Sequence, residues 1–336
     1  MSKRNKPAPP EHSVSLSFDD NTMAQTLFGA QSAHLAQVEK ALDVVIVARG
    51  ADLSIGGDQS TDVDRAKRVL EGLYERLSSG ASVGTQEVAA ALRMIDKPGG
   101  SMKSVNMEVR TKKRVISPRS TNQAAYLSAI DKSELVFGLG PAGTGKTYLA
   151  VAKAVERLIC GDVDRIILTR PAVEAGEQLG FLPGDMKEKV DPYLRPLYDA
   201  LHDMMPDDQV EKRMETGAIE VAPLAFMRGR TLSNAFVILD EAQNTTAVQM
   251  KMFLTRLGEN SRMVVTGDLS QVDLPRGTRS GLRDARDILD GTEGIKFVDF
   301  DSTDVVRHVI VTRIVNAYEK AEKHRRRSAP YEDAHD

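Results

Sequence analysis

A single cysteine, Cys160, occurs among the 336 residues of the chain. That excludes an intramolecular disulfide and any cysteine-cluster metal site, and it fits a reducing compartment. An excess of one charge is also missing. The chain has 45 Lys and Arg against 48 Asp and Glu, a formal net charge of −3, so a nucleic-acid surface, if present, must be a local patch. Nowhere do the roughly 18 successive uncharged apolar residues of a membrane-spanning helix run together. The opening MSKRNKPAPPEHS is polar and proline-rich, without the apolar core of a secretory signal. A cytoplasmic protein with no membrane partner is expected. There is no internal repeat and no long low-complexity tract, and the length suits two domains of about 100–200 residues each.

Residues 1–12 read as a disordered tail, and 13–100 as a small α+β unit. Val14, Leu16 and Phe18 alternate with Ser13, Ser15 and Ser17 at the period of a half-buried strand. Leu27, Phe28, Leu35, Val38 and Leu42 share a face of a helical segment from Thr26 to Leu42, interrupted near Gly29. Strand-like VVIVARG and ADLSIGG follow. A helical stripe through Val63, Ala66, Val69, Leu70, Leu73 and Leu77 opens after Thr61 and Asp62, and another helix covers Thr85 to Ile95. Residues 101–120, including NMEVRTKKRVISPRS, read as a basic linker, either a solvated connector or a nucleic-acid contact. Beyond Thr121 the runs LVFGL, RIILTR, AIEVAP, AFVILDE, RMVVTGD and IKFVDF alternate with helices, the rhythm of a parallel sheet covered on both faces. This α/β domain is expected over 121–321, closing with a helix that includes Val305 to Ala321. A charged tail fills 322–336.

The chemistry concentrates where LVFGL breaks into GPAGTGKT. Gly140, Pro141, Ala142, Gly143, Thr144, Gly145, Lys146 and Thr147 meet the pattern G-x-x-x-x-G-K-[ST] between a buried strand and a buried helix. A turn poor in side chains exposes backbone N–H groups, and the helix that follows adds its positive end, so anions collect there. Lys146 is placed for the β- and γ-phosphates of ATP, the Thr147 hydroxyl for Mg²⁺, and Tyr148 follows directly on the loop. The metal also needs a carboxylate from another strand. FVILDEAQN offers Asp240 as metal ligand and Glu241 as the base that orients and deprotonates water. A third strand end, MVVTGDLSQVD, faces the same crevice. There Gln271 or Thr266 is a candidate sensor of the γ-phosphate, with Asp268 coupling it to the next loop.

Together GPAGTGKT, TRPAVEAGEQLGFLPGD, VILDEAQN, TGDLSQVD and DVVRHVIVTRIVNAYE closely resemble the PhoH-like ATPases in their short, YbeZ-type bacterial form, over about Arg114 to Tyr318. The resemblance implies a P-loop NTPase with one RecA-like, superfamily 1 helicase-like parallel sheet core. It further implies an N-terminal KH-like α+β domain, and no PIN nuclease domain. It assigns Gln123 to adenine, Gln243 and Gln271 to the link between γ-phosphate and nucleic acid, and Arg307 to a catalytic arginine finger. The KH clamp would be Gly29-Ala30-Gln31-Ser32, with Ser32 in place of the second glycine. RNA, a hexameric ring in which Arg307 serves a neighbouring subunit, and the endoribonuclease YbeY are the partners it implies. Phe181, in the loop from Glu174 to Asp185, either stacks on a base or anchors that loop.

Mg²⁺-dependent ATP hydrolysis coupled to RNA binding or remodelling, in RNA processing or ribosome maturation, is therefore the expected function. A small-molecule kinase and a nucleotide-switched scaffold with little turnover are the alternatives. Glu241 beside Asp240 favours hydrolysis, as does the lack of an arginine-rich lid between the second and third strands.

Overall fold

The computed structural model describes residues 11–95, 107–171, 186–275, 277–305 and 314. The small unit comprises β1 (His12–Ser17), helices Asn21–Phe28 and Ala33–Leu42, β2 (Val45–Arg49), β3 (Asp52–Gly57) and helices Ser60–Ser78 and Thr85–Ile95. Its antiparallel sheet runs in the order β1-β3-β2. The first helix starts five residues before the expected Thr26. Asp20 sets that start, because its carboxylate accepts the N–H groups of Thr22 at 2.7 Å and Met23 at 3.0 Å, two of the donors a helix start leaves without partners. Gly29, at φ +75°, ends the helix. Gln31 and Ser32 also adopt left-handed backbone, φ 52° and 58°, so the turn keeps a glycine-like path without a second glycine. Leu27, Phe28, Val38, Ile55, Val69 and Leu73 fill the core beneath.

Residues 107–120 are not a solvated connector. They carry a short hairpin, β4 (Val109–Arg110) and β5 (Val115–Ile116), whose Val109 and Ile116 are buried in the core of the larger domain. Two of its cations, Lys113 and Arg114, are paired within the chain. Lys113 Nζ donates to the His202 carbonyl at 2.8 Å and to Asp207 at 3.2 Å, and Arg114 lies 2.5 Å from Asp203. Strands of two residues carry no readable period, so composition alone suggested a linker.

The larger domain is built on β6 (Leu135–Leu139), β7 (Arg165–Arg170), β8 (Ile219–Pro223), β9 (Ala235–Leu239), β10 (Arg262–Gly267) and β11 (Ile295–Asp299). They form one sheet in the order β11-β6-β10-β9-β7-β8, parallel at every pairing. All six expected apolar runs are strands. Because successive side chains point to opposite faces, Val136, Phe236 and Ile238 enter the core under helices Thr121–Lys132, Lys146–Cys160 and Met186–Met204. Phe137, Val237 and Leu239 enter the core under helices Ala247–Leu254 and Gly281–Leu289. Helix Lys146–Cys160 buries Leu149, Ala150, Val151, Ala154 and Val155. Each fully buried Leu or Val stabilises by about 1.5–3 kcal/mol, so the first turn of this helix is held firmly against the sheet. From β6 the chain crosses past β10 and β9 to reach β7, whereas β11 returns on the other side of β6. The crevice at this reversal lies outside the carboxyl ends of the strands, where open α/β sheets hold ligands.

Candidate functional site

The loop after β6 is shaped by two close approaches. Gly140 sits at φ +141°, its N–H donates to the Gly267 carbonyl at 3.1 Å, and a Cβ there would fall on the Phe300 carbonyl oxygen. Any side chain at 140 would displace the loop. Gly145, at φ +82°, then starts helix Lys146–Cys160, whose first-turn N–H groups lack intrahelical partners and carry the positive end of the helix dipole. Thr144 Oγ1 donates to the Pro141 carbonyl at 2.9 Å. Lys146 folds over this turn, its Nζ donating to the carbonyls of Gly140 at 2.6 Å and Pro141 at 2.8 Å. The lysine is only 8% exposed. Burial pulls its pKa below the usual lysine range, opposed by the nearby carboxylates of Asp268, Asp240 and Glu241.

Three strand ends meet at Asp240. Its Oδ1 accepts the Thr147 hydroxyl at 2.7 Å, from the helix after β6, and the Thr266 hydroxyl at 2.7 Å, from β10. Glu241 follows in left-handed backbone, φ 52°. Arg170, at the end of β7, holds one of its carboxylate oxygens at 3.1 Å, and Gln243 Nε2 donates to the other at 2.5 Å. Gln243 Oε1 in turn accepts the Asp268 N–H at 3.0 Å. A continuous polar path thus joins Glu241 to the turn after β10. Neither carboxylate caps helix Ala247–Leu254, because Thr246 and Gln249 form that cap.

Lys146, Thr147, Asp240, Glu241, Asp268 and Gln271 line one cavity of about 250 Å³. Ala142, Gly143, Gly145 and Tyr148 contribute to the same walls. Asp268 Oδ1 accepts from the N–H of Ser270 at 2.9 Å and from its hydroxyl at 2.6 Å, whereas its Oδ2 is buried with no hydrogen-bond partner among the described residues. Such an orphaned acceptor is costly unless a ligand, ion or water satisfies it. The hard oxygens of Thr147 and Asp240 suit Mg²⁺, which is usually bound through one or two carboxylates together with substrate phosphates. Among the described residues no group of three or more His, Cys, Asp or Glu forms a metal cage.

Gln123 is 4% exposed and ties the loop to helix Thr121–Lys132. Its Oε1 accepts the Arg119 N–H at 2.6 Å, and its Nε2 donates to the Thr144 carbonyl at 2.9 Å. Tyr148 donates its hydroxyl to Asp203 at 2.7 Å. Burial, then that hydrogen bond, pushes the phenol pKa up to about 12. Arg307, Phe181 with its loop, and most of the segment from Val305 to Ala321 expected to be helical lie outside the described residues. Arg170 was not anticipated from the sequence. The available signal was a cation closing the apolar run RIILTR, since the end of every parallel strand faces the crevice.

The PhoH-like protein family profile matches residues 115–319. A PhoH-like protein of Bacillus subtilis is 52% identical over 301 residues, spanning 88% of this chain and 94% of that one. A PhoH-like protein of Mycobacterium tuberculosis is 51% identical over 300 residues, 88% of this chain and 85% of the relative. Protein PhoH of Escherichia coli is 52% identical over 205 residues, 60% of this chain and 58% of its own. No helix among the described residues is long and apolar enough to cross a membrane. With near-full-length relatives at half identity and a phosphate loop joined to its strand-end carboxylate, the chain belongs to the PhoH-like family of P-loop ATPases.

Proposed function

We propose that this chain is a Mg²⁺-dependent ATP hydrolase whose turnover is coupled to RNA. The observation that carries the proposal is the 2.7 Å hydrogen bond from Thr147 to Asp240, across 93 residues of sequence, in a cavity that also receives Lys146 and Glu241. Lys146 and the first-turn N–H groups bind phosphate oxygens. Thr147 and Asp240 hold Mg²⁺, which supplies charge neutralisation at the phosphoryl oxygens. Glu241, fixed in direction by Arg170 and Gln243, orients the attacking water and takes its proton. Gln123 and Tyr148 support the loop from the base side.

RNA coupling is supported by the family resemblance and by the path Glu241–Gln243–Asp268, through which a change at the turn after β10 would redirect the base. The left-handed turn at Gln31 and Ser32 offers a second candidate contact in the small unit. Steady-state ATP hydrolysis with and without saturating single-stranded RNA tests both halves. Expected are Mg²⁺-dependent phosphate release and a higher rate with RNA. A rate indifferent to RNA, with no RNA retained by the protein, would remove the coupling. Absence of hydrolysis under both conditions would remove the enzyme.

A further inference from the structure

A second cavity, of about 440 Å³, meets the first across Gly143, Gly145 and Tyr148. One side is formed by the larger domain, through residues 114–119, Gln123 and Leu149. The other comes from the small unit, through Arg76, Ser82, Glu87 and Ala90. Arg76 is only 5% exposed. Among its contacts is the hydrogen bond from its Nε to the Ser82 carbonyl at 3.0 Å, with the carboxylate of Glu87 among the charges around it, and Glu87 is itself oriented by the Gly84 N–H at 3.0 Å. A nucleoside triphosphate with its phosphates on the loop must place its base and ribose beyond the loop. The Tyr148–Leu149 side has room for them, and the volume falls within the roughly 300–1,000 Å³ of small-molecule pockets. Its chemistry also matches. Ala90 and Leu149 present apolar surface for ring faces, Arg76 offers donors to ring nitrogens, and Glu87 offers an acceptor to ribose hydroxyls.

We infer that the small N-terminal unit forms one wall of the pocket for the base and ribose of the nucleoside triphosphate, with Arg76 and Glu87 as its polar contacts. This wall rests on the nucleotide site proposed above, and it makes the bound nucleotide a bridge between the two units. A polyphosphate without base or ribose occupies the loop alone and does not feel the wall.

Equilibrium binding of Mg²⁺-ATP and of Mg²⁺-tripolyphosphate to the full chain tests it, with Arg76→Gln and Glu87→Ala compared with the wild type. Both variants should weaken ATP by about tenfold, the loss of one charge-assisted hydrogen bond, while binding tripolyphosphate as the wild type does. Because Arg76 is buried, thermal melting checks that its variant folds; if it does not, Glu87→Ala decides. Unchanged ATP affinity in a folded variant overturns the inference, and so does equal weakening of both probes. A wild type that binds neither probe would instead remove the nucleotide site itself, and the wall with it.

Discussion

Lys146 already uses its ammonium to hold two carbonyls of its own loop, so phosphate oxygens must replace contacts inside a buried site. Hydrogen bonds to charged groups contribute about 1.5–3 kcal/mol, and Lys146→Ala should therefore lower ATP affinity roughly 10–100-fold. Equilibrium titration of the variant with Mg²⁺-ATP measures this, and near-wild-type affinity would exclude Lys146 from phosphate binding. Lys146, Thr147, Asp240 and Glu241 were legible as residues because each lies in a short motif at the end of an apolar run. The partners of Glu241 were not. Its contact with Arg170 joins β7 to the end of β9, and the left-handed backbone of Glu241 aims the carboxylate between Arg170 and Gln243. Neither fact has a local signature in sequence.

At the scale of elements, buried parallel strands announce themselves as continuous apolar runs, and all six in the larger domain were readable. Short hairpins and capping residues are weaker signals, which is why the hairpin at 109–116 read as a linker and the helix after Asp20 read as starting late. Contacts between helices were not readable at all. Tyr148 joins helix Lys146–Cys160 to Asp203 in helix Met186–Met204. Its folded pKa of about 12 lies above the ordinary tyrosine value near 10. The stabilisation from this raised pKa is complete below the unfolded value and is lost as pH climbs through the folded one. The difference in urea midpoint between wild type and Tyr148→Phe should accordingly be constant below about pH 10 and shrink as pH approaches about 12. A difference that persists undiminished to the upper limit would show that the phenol proton does not join these helices.

For the whole molecule, the sequence pattern predicted a parallel sheet but not its order, since pairing is non-local and apolar runs of similar composition are interchangeable on paper. The observed order sets the ends of β6, β9 and β10 side by side, and so brings Lys146 and Glu241, 95 positions apart along the chain, to one cavity. The approach of the small unit to the phosphate loop was equally invisible, because it brings together residues distant in sequence, Arg76 to Ala90 on one side and Gly143 to Leu149 on the other. In the proposed function this convergence performs hydrolysis and not binding alone. Mixing excess protein with radiolabelled ATP and Mg²⁺, then separating bound ATP from released phosphate, tests it most directly in the wild type and in Glu241→Gln. The wild type should release phosphate, whereas the variant should retain intact ATP with turnover slowed about 10²–10⁴-fold, the usual contribution of a general base. Phosphate release by Glu241→Gln at the wild-type rate would show that Glu241 is not the base and that this cavity does not work as described.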